Sequence, residues 1–314
     1  MKRKILSIVL TLMMVVGLLP MAAFAADEVV AEVGGTSYSS LAEAIAAAKD
    51  GNTVKLLDNV DLTKTLIIKD KTITLDLNGK TISNSTDIWN ESTYSWSLIS
   101  VRDNGNLTID DTAGGGTLKA KENDCYALDV YVYDTKNVEN TKLTINAGNY
   151  VGNVSAVYAF TGKVTINGGH FSIQQLSSSN DYRFMLNCYD ASYTVGRAGF
   201  TVNGGTFVKF DPSDSASENP HANFLAEGYG VKQDGDNYIV TEPVAAIGDT
   251  KYPTLAAAVD AAEGKTIKLL KDTKEDITIS GKTITLDLNG KKLININNNT
   301  ITVANGASLT VTGT

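Results

Sequence analysis

A four-residue phrase returns along the chain and restricts its fold more than any other feature: LTID at 107–110, LTIN at 143–146, VTIN at 164–167 and FTVN at 200–203. The steps between them are 36, 21 and 36 residues. After the last three, a glycine and a ring recur in register: Gly148 with Tyr150, Gly169 with Phe171, Gly205 with Phe207. Before each phrase comes a second apolar run, at 98–101, 127–132, 156–160 and 184–188. One repeat is therefore a strand, a turn, the phrase strand, an Asn/Gly turn and an aromatic strand, with period-two alternation of apolar and polar residues. Units this short cannot bury a face alone and must stack on their neighbours. That predicts an all-β solenoid, a parallel β-helix with strands about 4.8 Å apart. The competing fold, a chain of immunoglobulin-like sandwiches, would space its strands regularly without a common phrase. In the stack, Asp110, Asn146, Asn167 and Asn203 would lie one above another and bond along a structural turn ladder.

A longer phrase marks where such a stack begins. KTITLDLNGK at 71–80 returns unchanged at 282–291, each time after a matching stretch, 34–57 and 248–270. Within those stretches Leu41, Ala44, Ile45 and Ala48, and again Leu255, Ala258, Val259 and Ala262, recur at helical spacing. Ser40 with Glu43 suggests a capping box, Thr254 a simpler N-cap, and Gly51 and Gly264 are placed to end the helices. Helices this short need a surface to lie on, and covering the open end of a stack supplies one. The expected plan is a first domain at 27–242, with its capping helix at about 40–50, and the start of a second at 243–314, with its helix at about 254–263. LTV at 309–311 matches LTI at 107–109, so the second domain is expected to be unfinished at Thr314. The chain would then be a monomeric piece of a longer multidomain surface protein.

Lys2, Arg3 and Lys4, an apolar run at 5–19 and small residues at Ala23 and Ala25 have the form of a secretory signal peptide at 1–25. No later segment is long and apolar enough to span a bilayer. Without those three cations the chain carries a net charge of about −11, which argues against a nucleic-acid partner. Cys125 and Cys188 are the only cysteines. An exported chain permits a disulfide between them, but two cysteines are no disulfide framework, and buried free thiols are the favoured expectation.

The residues also carry a family likeness. YSSL at 38–41, Ala44, Ile45 and GNTV at 51–54 resemble the opening of right-handed parallel β-helix proteins of the pectin-lyase-like superfamily. NGGTF at 203–207, Asp211-Pro212, Leu225-Ala226, Gly228-Tyr229 and 234–240 are similar to β-helix domains of secreted surface proteins from anaerobic Gram-positive bacteria. The resemblance implies a right-handed β-helix and a secreted, cell-wall-associated location. It implies no single function, because that architecture carries lyases, hydrolases, adhesins and proteins without known activity.

Candidate chemistry is sparse. A glycan-cleaving enzyme would need carboxylates or a basic group converging on one face. The candidates on the long-loop side are Asp129, Asp134, Asp181, Arg183 and Asp190, with Asp129 expected to point outward into solvent. His170 and His221 have no partner at metal or triad spacing. The acidic loops at 211–218 and 234–236 could hold Ca²⁺ but lack the ligand spacing of a dedicated site, and no other cofactor is expected. The most suggestive cluster is aromatic: Trp89, Tyr94 and Trp96 in an inserted loop, with Tyr131 and Tyr133 one repeat later. Rings interspersed with Asn, Ser and Asp suit stacking on sugars, so these five are the candidate glycan-binding residues; the alternative is that Trp96 packs under its loop as satellite core. The expectation is a non-catalytic, adhesin-like surface protein presenting loops to extracellular polysaccharide, host or cell-wall glycan, or protein. A polysaccharide lyase or glycoside hydrolase is the alternative.

Overall fold

The structure, a computed structural model, describes residues 28–176, 181–297 and 299–313. The expected signal peptide at 1–25 lies outside them. The chain is mostly strand, and each repeat contributes one strand to each of three sheets. The first sheet holds the phrase strands: Thr72–Asp76, Asn106–Asp110, Lys142–Ile145, Gly162–Ile166 and Ala198–Val202 pair in that order, all parallel. Register places like on like, Leu107 on Leu143 on Val164 on Phe200, and Ile109 on Ile145 on Ile166 on Val202. These columns are buried, which is how the repeats share one apolar interior.

The second sheet carries the aromatic strands Asn149–Gly152, His170–Ile173 and Thr206–Val208. Tyr150, Phe171 and Phe207 are wholly buried and stack, with centroids 5.0 and 4.8 Å apart. Gly169 precedes its ring at φ 106°, and a Cβ there would stand 3.1 Å from Gly148 O and 3.2 Å from the Tyr150 ring. Only glycine combines that backbone with that clearance. The third sheet is Leu66–Lys69, Ser97–Arg102, Tyr126–Tyr131, Val157–Ala159 and Leu186–Cys188, again parallel. At the corner between first and second sheets, Asn146 Nδ2 donates to Asp110 Oδ1 (2.7 Å), Asn167 Nδ2 to Asn146 Oδ1 (2.8 Å) and Asn203 Nδ2 to Asn167 Oδ1 (2.8 Å).

Both ends of this stack turn antiparallel. Ala31–Val33 pairs with Thr53–Leu56 and with Thr36–Tyr38, while helix α1 (Leu41–Ala47) buries Leu41, Ala44 and Ile45. At the far end, past the short helix α2 (Asp190–Thr194), Asn237–Thr241 pairs with Thr206–Val208 and with Gly230–Asp234. Antiparallel closure keeps the edge groups of a parallel sheet from being offered to another chain. The second phrase repeats the opening arrangement: a hairpin, helix α3 (Leu255–Ala261), then Thr266–Leu269, Thr283–Asp287 and Ser308–Thr312 in parallel. A separate buried cluster, including Leu255, Val259, Ile267, Ile279 and Leu286, forms its interior.

The repeated decapeptide acts as a clamp. Lys71 Nζ donates to the carbonyls of Ile45 (2.6 Å) and Ala48 (3.3 Å), and Lys282 Nζ to those of Asp260 (2.8 Å) and Val259 (3.2 Å). A cation thus meets carbonyls at the negative end of each short helix, although Val259 O also accepts from Ala262 N at 3.2 Å. Asp76 Oδ1 accepts from Asn78 N (2.9 Å) while Asn78 Nδ2 donates to Leu56 O (2.8 Å); Asp287, Asn289 and Leu269 repeat both bonds. The helix ends differ from expectation. Ser40 occupies the N-cap position without a side-chain cap bond, so the capping box does not form, whereas Thr254 Oγ1 accepts from Ala257 N at 3.1 Å. The helices stop at Ala48 and Ala262, before Gly51 and Gly264, which take positive φ in the following turns. Packing of Leu41 and Ile45 and the lysine clamp hold α1 without the box.

Candidate functional site

Long connections gather at the two edges of the third sheet: 84–96 and 120–125 before its strands, 132–141 and 189–197 after them. In Tyr126–Tyr131 the inward Leu128 and Val130 alternate with the outward Asp129 and Tyr131; Ala127 and Leu128 are both in the core, and this break in the period leaves Tyr126 outward against Trp89 and Tyr158. The next strand turns Tyr158 and Phe160 to the same side.

Loop 84–96 folds over this outer face and is held firmly. Both oxygens of Asp124 accept backbone N–H bonds, from Ile88 (3.0 Å) and Trp89 (3.0 Å), and Asn84 Nδ2 adds a third donor at 2.6 Å. Arg102 Nη2 donates to Tyr94 O at 2.7 Å, and Trp96 Nε1 to Glu91 Oε2 at 3.1 Å. Trp96 is buried against Tyr94, Tyr131, Tyr158 and Phe160, with centroids 5.3 to 6.0 Å away. The rings Tyr94, Tyr131, Phe160 and Tyr189 form a file along the sheet at 5.0, 5.1 and 4.5 Å.

The five candidate glycan residues therefore divide. Trp89, Tyr94 and Tyr133 are exposed, at 38, 42 and 75 %, whereas Trp96 and Tyr131 are 7 % exposed and support the others. The expectation of an open ring is corrected for Tyr131, whereas Trp96 follows the alternative reading and packs under the loop that carries it. Tyr126, Tyr158, Phe160 and Tyr189 belong to the same layer and were not singled out from the sequence. Tyr158 alternates with the inward Val157 and Ala159, and Phe160 and Tyr189 continue that period just past their strands, whereas Tyr126, two residues from the inward Leu128, carries no such signal.

Asp129 is the larger correction. It points away from the interior, as its strand period requires, yet it is fully buried because loop 84–96 and the ring layer cover that face. Ser97 Oγ lies 2.8 Å from Ile99 O and 3.1 Å from Asp129 Oδ2, and its single proton serves one of them. With that proton on Ile99 O, the Asp129 contact requires a protonated carboxyl. Burial pushes the Asp129 pKa up to about 7, opposed by Ser100, Arg102 and Ser97. Oδ1 has no hydrogen-bond partner among the described residues.

The remaining candidates are scattered. Asp134 caps a short 3₁₀ turn by accepting from Lys136 N at 3.1 Å. Asp181 pairs with Arg183, which holds its carboxyl below the usual range. Asp190 shares a small cleft with Glu218 beside Tyr193. Glu218 is 3 % exposed, its Oε1 accepts from Ser217 Oγ (3.1 Å), and burial raises its pKa, with the Asp190 charge adding to the shift. His221 Nδ1 meets Asp214 at 2.8 Å.

Cys125 and Cys188 are buried free thiols. Among the described residues no three His, Cys, Asp or Glu side chains are placed to hold a metal ion. In the acidic loops Asp211 accepts from Ser213 and Asp236 pairs with Lys209. No described helix is long and apolar enough to cross a membrane. Comparison with known proteins finds no matching family model, no similar curated protein and no matching solved structure.

Proposed function

We propose that the chain is a secreted, cell-surface protein of right-handed parallel β-helix architecture that binds extracellular glycan without cleaving it. One observation carries the reading: Trp89, Tyr94, Tyr133 and Tyr189 are exposed along the outer face of the third sheet, where loops collect and a buried ring layer fixes their supports. Rigid rings flanked by Asn, Ser and Asp supply stacking faces and hydroxyl partners at little entropic cost. Three parallel sheets, one strand per repeat in each, support the β-helix assignment. The duplicated clamp supports two such domains in a longer surface rod.

A specific observation favours a second reading, a glycoside hydrolase. Asp190 and Glu218 line one cleft, Asp190 exposed and Glu218 buried with its pKa raised by burial, and two carboxyls in unlike environments are what acid/base cleavage uses. The two readings separate on one experiment. The purified 27–314 chain is screened for binding on a panel of immobilised polysaccharides, and every ligand found is incubated with it and assayed for reducing ends and unsaturated products. Binding without product supports the proposal; product formation lost in Glu218→Gln overturns it for the hydrolase.

A further inference from the structure

Beside the ring layer lies an open cleft of about 490 Å³ between loop 84–96, the turn before Tyr126–Tyr131 and the turn after Asn149–Gly152. Trp89 and Tyr126 meet there at 89° with centroids 5.3 Å apart, making an aromatic corner. Asp124 lines the cleft, but its oxygens are committed to the backbone of the loop. Asn153 is not so occupied. It is 8 % exposed, lines the same cleft, and its Oδ1 has no hydrogen-bond partner among the described residues. Its main chain is pinned, N–H to Cys125 O at 3.0 Å and carbonyl to the N–H groups of Gln174 and Gln175 at 3.0 and 2.9 Å, which fixes the backbone at the cleft wall and leaves the side-chain torsions free. A buried amide oxygen left without a bond is costly; Oδ1 is sealed from solvent as placed, and a turn of the side-chain amide into the cleft it lines would bring it to a ligand hydroxyl.

The charges around the cleft restrict what that ligand is. Asp87 and Asp124 line it and no cation among the described residues does, while Lys121 pairs with Asp87 from outside the lining. Two carboxylates against one ammonium leave the cleft anionic. A uronate or sulfated sugar would meet like charge in a half-enclosed site, whereas a neutral hexose or an amino sugar would not.

We propose that this cleft is the selective subsite of the glycan-binding face: it takes one neutral or amino-bearing pyranose unit, with the sugar's apolar face on the Trp89–Tyr126 corner and a hydroxyl on the Asn153 amide, and it rejects uronates. The inference rests on the glycan-binding reading and adds the sugar class. Titration calorimetry with a neutral β-glucan hexasaccharide, chitohexaose and hexagalacturonate tests both. One of the first two should bind, with hexagalacturonate at least about tenfold weaker, and Trp89→Ala and Asn153→Leu should each lose about tenfold, the equivalent of one hydrogen bond or stacking contact. The fold of Asn153→Leu is checked by its melting curve. Asp87→Lys, at a position where the side chain is 71 % exposed, tests the charge argument independently and should raise hexagalacturonate binding. Binding that persists in Trp89→Ala and Asn153→Leu but is lost in Tyr94→Ala overturns the cleft and leaves the glycan face standing. Hexagalacturonate binding as well as the neutral ligands, or staying unchanged in Asp87→Lys, overturns the sugar class. No binding to any of the three overturns the cleft, and the polysaccharide panel then decides the broader reading.

Discussion

Replacing Asp129 by Asn keeps the shape of the side chain and removes its charge. In the folded protein burial holds its pKa at about 7, against an ordinary 3.8. The folded value lies above the unfolded one, so the folded state binds the proton more tightly. The stability that this supplies is fully present below about 3.8 and is lost as the pH climbs through about 7. At 1.36 kcal/mol per decade, wild type gives up about 2 kcal/mol at pH 5 and about 4 kcal/mol at pH 8 relative to a permanently neutral isostere. Urea unfolding of wild type and Asp129→Asn at pH 5 and pH 8, followed by far-UV circular dichroism, measures both differences. Asp129→Asn should be the more stable protein at each pH, and its advantage should widen by about 2–3 kcal/mol between them. Other carboxylates titrate in both proteins and cancel in the comparison. An advantage that does not grow from pH 5 to pH 8, or a variant less stable than wild type at pH 8, refutes the buried protonated carboxyl.

Trp96→Ala removes a ring buried against four others and should cost about 3–5 kcal/mol, with loop 84–96 released to proteolysis; undiminished stability would contradict the support role. Lys71→Met leaves helix carbonyls of α1 unpaired and should cost about 1–2 kcal/mol, seen as faster amide exchange across Leu41–Ala47. Unchanged exchange there would contradict the clamp. Cys125 and Cys188, buried with their thiols pushed up by burial, should resist iodoacetamide in native buffer and react once the protein is unfolded.

The strands were legible because two signals agreed on them, alternation within each strand and the return of LTIN, VTIN and FTVN at matching places between strands. The outer face was less so. Alternation states that Asp129 points away from the interior; it does not state what lies on top, and loop 84–96 reaches that position only through the Asp124 clamp, 35 and 36 residues away in the chain. The burial of Tyr131 escapes the sequence for the same reason, whereas the packing of Trp96 under its loop is one of the two readings its sequence allows. The rings Tyr158 and Tyr189 were visible as outward positions but gained meaning only as neighbours of Phe160, a relation set by parallel register. Lys71 carried its signal in the duplication itself, since Lys282 begins the second copy. What it binds, carbonyls 23 and 26 residues earlier, depends on where the helix comes to rest. Asn153 left no trace in the sequence, because an unpartnered amide is defined by the absence of neighbours.

The Asp110–Asn146–Asn167–Asn203 ladder keeps almost the same bond length whether 36 or 21 residues separate its members. It stands at the corner between the first and second sheets, where the connections are short apart from 111–116, whereas the longest ones leave and return at the two corners that border the third. Position along the stack is thus counted mainly at one corner and surface is elaborated mainly at the other two. Extra residues can enter beside the third sheet without moving any interior column, since the next amide restores the phase within one turn of the chain. A chain with this division can lengthen, shorten or exchange its outer loops one repeat at a time while its core stays as it was.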